Sequence, residues 1–255
     1  MCEVYDISKN KLVPIANMNQ KRFSHSVISL NGVVYAVGGR TNRCYLTSGE
    51  RYDVYDSWRS IASMNNPRSD FGICTRNDFI YVVGGSNTST VESYDPSTDK
   101  WDRCTNVPTD KHLCVRATVV ENSIYTLAHR SSLSFCFRFD PTTTQWHTLN
   151  KTHIEDEFQL VSYDSSLFLI ENDYCKRLDL RMNKWESIPS LQFERYGFSA
   201  VIAADDIYVL GGATSHSAGH DVTSVERFNI RTNAWTTIES MEIEHYKGGA
   251  AVVSG

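Results

Sequence analysis

Three arginines keep one spacing to a glycine pair. Arg22, Arg68 and Arg195 each stand 16 residues ahead of the first glycine in Gly38-Gly39, Gly84-Gly85 and Gly211-Gly212. A guanidinium presents a planar fork of donors that matches a carboxylate or phosphate bidentately. Three of them around one opening would clamp an anionic segment of a partner. The same fork also braces loops by donating to backbone carbonyls, and both uses are open from the sequence. On the clamp reading, reversing these three charges abolishes partner capture and leaves thermal stability nearly unchanged. His112 and Glu155 hold the same spacing ahead of Ala128 and Glu171, and His245 precedes the last apolar segment. Phe23, Phe71, Tyr196 and Tyr246 add aromatic neighbours.

Nearby positions extend this candidate surface. Arg40, Asn42, Arg43, Tyr45, Ser86, Asn87, Arg130, Tyr174, Ser215 and His216 fall in the stretches after the glycine pairs or their replacements, and Asp70 follows Arg68. Tyrosine, arginine and asparagine are interface-type residues. The partner-binding candidates are therefore Arg22, Phe23, Arg43, Tyr45, Arg68, Asp70, Asn87, His112, Arg130, Tyr174, Arg195, Tyr196, His216, His245 and Tyr246. Glu155, Asp156, Glu157, Glu171 and Asp173 oppose them, so the opening is expected to be basic on one side and acidic on the other.

Catalytic signals are missing. The chain has no G-x-S-x-G elbow, no P-loop, no G-x-G-x-x-G and no H-E-x-x-H. His216 and His220 are four apart, but in a Gly- and Ser-containing stretch rather than on a helix, so no metal or other cofactor is expected. The seven cysteines form no C-x-x-C pair and mostly lie in apolar runs, which fits buried, free thiols in a reducing compartment. Cys44, beside Arg43, is the one whose setting could lower its pKa.

These residues need a scaffold, and the chain repeats itself to make one. Val34-Tyr35-Ala36-Val37-Gly38-Gly39 returns as Ile80-Tyr81-Val82-Val83-Gly84-Gly85 and as Ile207-Tyr208-Val209-Leu210-Gly211-Gly212. Tryptophans follow at 58, 101, 146, 185 and 235. Each interval reads as four short strands; in the first copy these are 26–30, 33–37, around 50–53, and 58–61. Asn31-Gly32, Asn77-Asp78, Asn122-Ser123 and Asp205-Asp206 mark the first hairpin turn of four copies. A module of this length cannot bury its apolar face alone, so several copies must share one core.

The hydrophobic run, the glycine doublet and the spaced tyrosine and tryptophan resemble the kelch repeat, and the likeness extends over essentially the whole chain. It implies an all-β fold, a six-bladed kelch β-propeller with four-stranded antiparallel blades. Full repeats are expected at about 22–64, 68–107, 112–150, 155–190 and 195–241, with an N-terminal half-blade at 1–18 and a closing strand at 247–253 completing the sixth. That sixth blade is expected to lack its second strand, as in a piece of a longer protein. The third and fourth copies depart from the pattern, since Ala128-His129 and Glu171-Asn172 replace the doublet.

The copies look most like those of animal BTB-kelch proteins. By that resemblance the chain is a non-enzymatic substrate-recognition module, holding a short, acidic protein segment for a cullin ubiquitin ligase joined through domains absent here. A cytoskeletal kelch scaffold, a viral kelch protein and a copper or isomerase enzyme are the other kelch roles; Tyr45, Tyr196, Tyr246, Cys114, His216 and His245 supply copper-ligand types but share no fixed spacing. At 255 residues, with a net charge of −5, the chain is expected to be cytoplasmic and to bind neither membrane nor nucleic acid.

Overall fold

A computed structural model gives the architecture. It describes residues 2–6, 9, 11–53, 57–86, 88–109, 114–130, 133–154, 157–172, 174–215, 220–240 and 245–253. Strands β1 (Cys2–Asp6) and β2 (Lys11–Ile15) form a two-stranded antiparallel sheet. Five four-stranded sheets follow. The first holds β3 (Ser26–Leu30), β4 (Val33–Val37), β5 (Gly49–Asp53) and β6 (Ser57–Ile61); the second β7 (Gly72–Arg76), β8 (Phe79–Val83), β9 (Val91–Asp95) and β10 (Lys100–Cys104). The third holds β11 (Cys114–Val120), β12 (Ser123–Arg130), β13 (Leu133–Asp140) and β14 (Gln145–Thr148). The fourth holds β15 (Gln159–Tyr163), β16 (Ser166–Ile170), β17 (Cys175–Asp179) and β18 (Lys184–Ile188); the fifth β19 (Ser199–Ala203), β20 (Asp206–Leu210), β21 (Ser224–Asn229) and β22 (Ala234–Ser240). Every sheet pairs its strands in chain order, and the innermost strands β3, β7, β11, β15 and β19 pack side by side in sequence. This is a propeller of five complete blades and a partial one.

Turn chemistry sets the blades. Asn31 and Gly32, with φ of 51° and 76°, and Asn77 and Asp78, with φ of 47° and 62°, make left-handed two-residue hairpins. In the third and fifth copies the turns sit one residue earlier than expected, at Glu121-Asn122 and Ala204-Asp205. At the other turn on this face, Asp95 and Asp140 accept the backbone N–H groups of Ser97 and Thr142, both at 2.8 Å.

Apolar faces join neighbouring blades. Tyr94 and Trp101 of the second blade pack with Tyr35, Val37 and Ile61 of the first, and Phe139 and Trp146 of the third pack with Cys74 and Tyr81 of the second. Each tryptophan also reaches back across the seam. The indole N–H groups of Trp58, Trp101, Trp146, Trp185 and Trp235 donate to the carbonyls of Ala16, Ala62, Thr105, Asn150 and Pro189. One side chain thus both fills the seam and satisfies a carbonyl at the end of the preceding unit.

The glycine doublet is a close-approach device. Gly38 has φ of 61°, and a Cβ there would lie 2.8 Å from the Arg68 carbonyl and 2.9 Å from the Phe71 ring of the next blade. The third copy, without the doublet, is built differently. β12 and β13 run eight residues each and pair as far as Arg130 with Leu133, with Ala128 and His129, which replace the doublet, held inside the ladder.

The C-terminal segment departs from expectation. Residues 248–253 occupy the inner position between β19 and β3, where Ser199 Oγ donates to the Gly248 carbonyl and Ser29 Oγ to that of Val252. They join no β-ladder, since no strand among the described residues lies beside them to pair with. All seven cysteines are free. Burial raises the thiol pKa values of Cys74, Cys136 and Cys175, which keeps these groups protonated.

Candidate functional site: the axial mouth

The three arginines point inward. Arg68 is fully buried; its Nη1 donates to the carbonyls of Gly84 and Thr90 at 2.8 and 2.9 Å, and its Nη2 meets Glu92 Oε1 at 2.5 Å. Arg195 does the same with Gly211, Ser224 and Glu226, and Arg22 with Gly38, Ser48 and Glu50. Each glutamate in turn accepts two consecutive backbone N–H groups from the loop entering the blade: Asn19 and Gln20, Asn65 and Asn66, Gln192 and Phe193. One ion pair therefore ties an entry loop to the second and third strands of the same blade. The expectation that Arg22, Arg68 and Arg195 hold a partner is corrected: all three side chains are 0% exposed and their Nη groups donate within the protein itself. The loop-bracing use is the one adopted.

Burial governs the electrostatics of these clamps. Removal from water draws the guanidinium pKa values of Arg68 and Arg195 below their ordinary range, against the opposing pull of Glu92 and Glu226. Burial alone would raise the Glu50 pKa, but the bonds from Arg22, Asn19 and Gln20 outweigh it and hold the carboxyl low.

The glutamates carried a signal in the sequence. Glu50, Glu92 and Glu226 stand two residues ahead of Tyr52, Tyr94 and Phe228, and among the five full copies only in those that have the arginine. The third and fourth copies place Phe137 and Lys176 there.

The mouth itself is made two residues beyond each arginine and beyond His245. Ser24, Asp70, Gly197 and Lys247 all have left-handed backbones, with φ of 51°, 52°, 65° and 53°. They are linked around the axis: Lys247 N–H donates to the Gly197 carbonyl, Ser24 to Lys247, Asp70 to Ser24, and Val115 to Asp70. On the fourth blade the Glu157 carboxylate accepts the Gly197 N–H at 2.8 Å and pairs with the Lys247 ammonium at 3.0 Å. The Lys247 pKa is raised: burial would lower it, and the Glu157 and Tyr246 contacts prevail. Non-glycine residues held left-handed cost of order 1 kcal/mol each, a cost that Ser24, Asp70 and Lys247 share with the hairpin turns.

Inside this rim runs a channel of about 480 Å³, lined by the inner strands and by His25, Asp70, Arg116, Glu157, Gln159 and Lys247. Much of its polar lining is bonded to itself, as Arg116 Nε to Gln159 Oε1 at 3.1 Å and Gln159 Nε2 to the Phe198 carbonyl at 2.7 Å. Among the described residues Asp70, Arg116, Glu157 and Lys247 alternate in sign around the lining, whereas a basic side and an acidic side were expected.

The other candidates separate into three groups. Arg43, Tyr45, Arg130 and Tyr174 are exposed on the loop face, with Tyr45 and Tyr174 at 43% and 47%. Phe23, Tyr196, His245 and Tyr246 are tied into the framework. Arg40 lies 4.7 Å over the Phe23 ring, Tyr196 bridges Ala213, and the Tyr246 ring packs against Gly197 beneath Lys247. His245 Nε2 meets Glu3 Oε2 at 2.8 Å, joining the C-terminal segment to β1. Glu3 stands two residues ahead of Tyr5, so this pair repeats the arginine–glutamate clamp with imidazole in place of guanidinium. Asn87, His112 and His216, with Glu155, Asp156 and Asp173, lie outside the described residues. Among the described residues no three His, Cys, Asp or Glu side chains are grouped to hold a metal ion.

Comparison with known proteins agrees with this geometry. The Kelch motif family matches residues 21–65, 67–108 and 194–242, more than half of the chain. The chain is 30% identical over 143 residues to mouse Kelch-like protein 35, covering 54% of this chain and 24% of the relative. It is 38% identical over 160 residues to mouse Kelch-like protein 24, covering 60% and 26%, and 30% identical over 138 residues to Kelch repeat protein C2 of vaccinia virus (strain Western Reserve), covering 49% and 26%. The chain thus spans about a quarter of the length of the curated relatives it matches. The solved structure of YjhT superposes with a TM-score of 0.75 at 16% identity, over 93% of this chain and 89% of that one, a likeness of fold alone. The matched segments contain all three arginine–glutamate clamps and their glycine pairs, and the chain belongs to the kelch repeat family.

Proposed function

We propose that this propeller is a non-catalytic protein-recognition module of a BTB-kelch adaptor, gripping a short partner segment at the mouth in the cytoplasm for a cullin ubiquitin ligase. The observation that supports it is the contrast between a locked framework and the side chains left over: the clamps consume Arg22, Arg68 and Arg195, while Arg43, Tyr45, Arg130 and Tyr174 stand exposed on the loops around the opening. Exposed arginine and tyrosine suit a segment carrying carboxylates and apolar groups. The ligase connection rests on likeness to the kelch-like relatives.

The test compares the chain with its Arg43→Glu, Tyr45→Ala and Tyr174→Ala variant as affinity baits in cytoplasmic extract. Partners retained by the first and lost by the second, with unfolding free energy unchanged within about 0.5 kcal/mol, are expected. Equal capture by both baits would overturn the reading. Cosedimentation with actin filaments would favour the scaffold alternative, and stoichiometric copper in the purified protein the enzyme alternative.

A further inference from the structure

One level of the axial channel is built unequally around the ring. Four residues beyond each arginine or its replacement stand Ser26, Gly72, Arg116, Gln159, Ser199 and Gly249, and all but Gly72 line the channel. Long side chains come only from the third and fourth copies. Arg116 Nε donates to Gln159 Oε1 at 3.1 Å and its Nη1 to the Val115 carbonyl at 3.0 Å, while the guanidinium lies 5.8 Å over the Phe158 ring. Its Nη2 has no acceptor among the described residues. Arg22, Arg68 and Arg195 each meet a glutamate, whereas Arg116 pairs with no described carboxylate. The other charges nearby do not replace that counter-ion. Lys247 and Glu157 neutralise one another at 3.0 Å, and Asp70, two residues nearer the mouth, accepts the Ser69 and Ser86 hydroxyls.

The backbone around this cation is left with donors. β3, β7, β11, β15 and β19 are the end strands of their sheets, so one edge of each carries N–H and C=O groups without a ladder partner. The hydroxyls of Ser26, Ser162 and Ser199 and the amide of Gln159 donate to carbonyls of the neighbouring inner segments. Among the described residues no serine, threonine or glutamine of the inner strands accepts an N–H from these edges in return. Capping of carbonyls alone leaves the lining below the rim richer in free donors than in free acceptors.

We infer that the axial channel binds a carboxylate, with Arg116 as its counter-ion and the free Nη2 as its principal donor. A single guanidinium beside an already neutral Lys247–Glu157 pair balances one negative charge, which suits a carboxylate better than a phosphate dianion. The carboxylate belongs either to a small organic acid or to an acidic side chain entering from the mouth. This goes beyond the partner reading above, because it concerns Arg116 inside the channel and stands even if the exposed loop residues capture no protein.

The test follows the Arg116 side-chain NMR signal of the arginine-labelled chain, identified by its absence in Arg116→Lys, during titration with sodium acetate at constant ionic strength. A saturable shift of that signal is expected, with the signals of Arg22, Arg68 and Arg195 unmoved. Line broadening of carbon-13 acetate should report binding about tenfold weaker to Arg116→Lys, which keeps the charge and loses the planar fork, and none to Arg116→Gln. Thermal melts show whether the variants fold, and the titration of the unaltered chain decides the matter if they do not. A second titration uses acetyl-Ala-Glu-Ala-amide: tighter binding than acetate assigns the site to an acidic side chain, and weaker binding assigns it to a free acid. An Arg116 signal that stays still with both probes, or moves equally with sodium chloride, would overturn the inference. So would acetate broadening that persists in folded Arg116→Gln.

Discussion

Replacing Arg68 with methionine removes the guanidinium from a site where both it and Glu92 are 0% exposed. Four acceptors lose this donor together: the Glu92 carboxylate, the carbonyls of Gly84 and Thr90, and the Thr90 hydroxyl. The Glu92 oxygens keep the N–H groups of Asn65 and Asn66, which is too little to replace a full opposite charge away from water. Breaking a buried pair on one side costs about 3–5 kcal/mol, and for a chain of this size each kcal/mol lowers Tm by about 2–4 °C. The expected fall is therefore of order 10 °C, read by urea and thermal unfolding with tryptophan fluorescence. The paired change Arg68→Met with Glu92→Gln should recover part of the loss, because no charge is then left buried. A loss under about 1 kcal/mol in the single variant would refute the reasoning, since it would mean that water reaches Glu92. This outcome also separates the two uses of arginine that the sequence allows. A partner clamp loses binding and keeps stability, whereas a blade clamp loses stability first.

Gly38→Ala should cost about 2 kcal/mol or more, from the left-handed backbone and the overlap with the Arg68 carbonyl, whereas Gly32→Ala, also left-handed but facing open space, should cost about 1 kcal/mol; thermal melts of the two variants check the difference. Acid should weaken the fold through His25, whose pKa burial and the Arg22 charge bring from 6.5 down to about 4 against the pull of Glu50. Between these values the unfolded chain binds a proton that the folded chain excludes, so stability falls as pH drops from 6.5 toward 4, by up to about 3 kcal/mol. Glu50 adds to the loss below that window, because its lowered pKa gives stability that disappears as the carboxylate takes up its proton. Urea midpoints across pH 4 to 7 should show a flatter profile for His25→Gln; an unchanged slope would remove His25 as the cause.

The blades were legible in the sequence because their determinants are local. A two-residue turn needs asparagine or glycine at the turn itself, a strand buried on both faces needs an unbroken apolar run, and the tryptophan recurs at the pace of one blade. All of these lie within a few residues of the structure they cause. The third blade escaped in detail for the same reason: loss of the glycine pair marks an irregularity, but not that β12 and β13 would lengthen to fill it.

The direction of the arginines was not local. Arg22, Arg68 and Arg195 keep the same spacing whether they face a partner or the interior, and what turns them inward is a glutamate 24 to 31 residues later that folding brings alongside. Burial then decides the role, because a guanidinium in a dry site must spend its donors on the nearest carbonyls and carboxylate. Sequence alone determined the repeat and the class of fold. Which side chains remain free around the opening depended on how neighbouring blades pack, since exposure belongs to the assembled ring and not to any single unit of it.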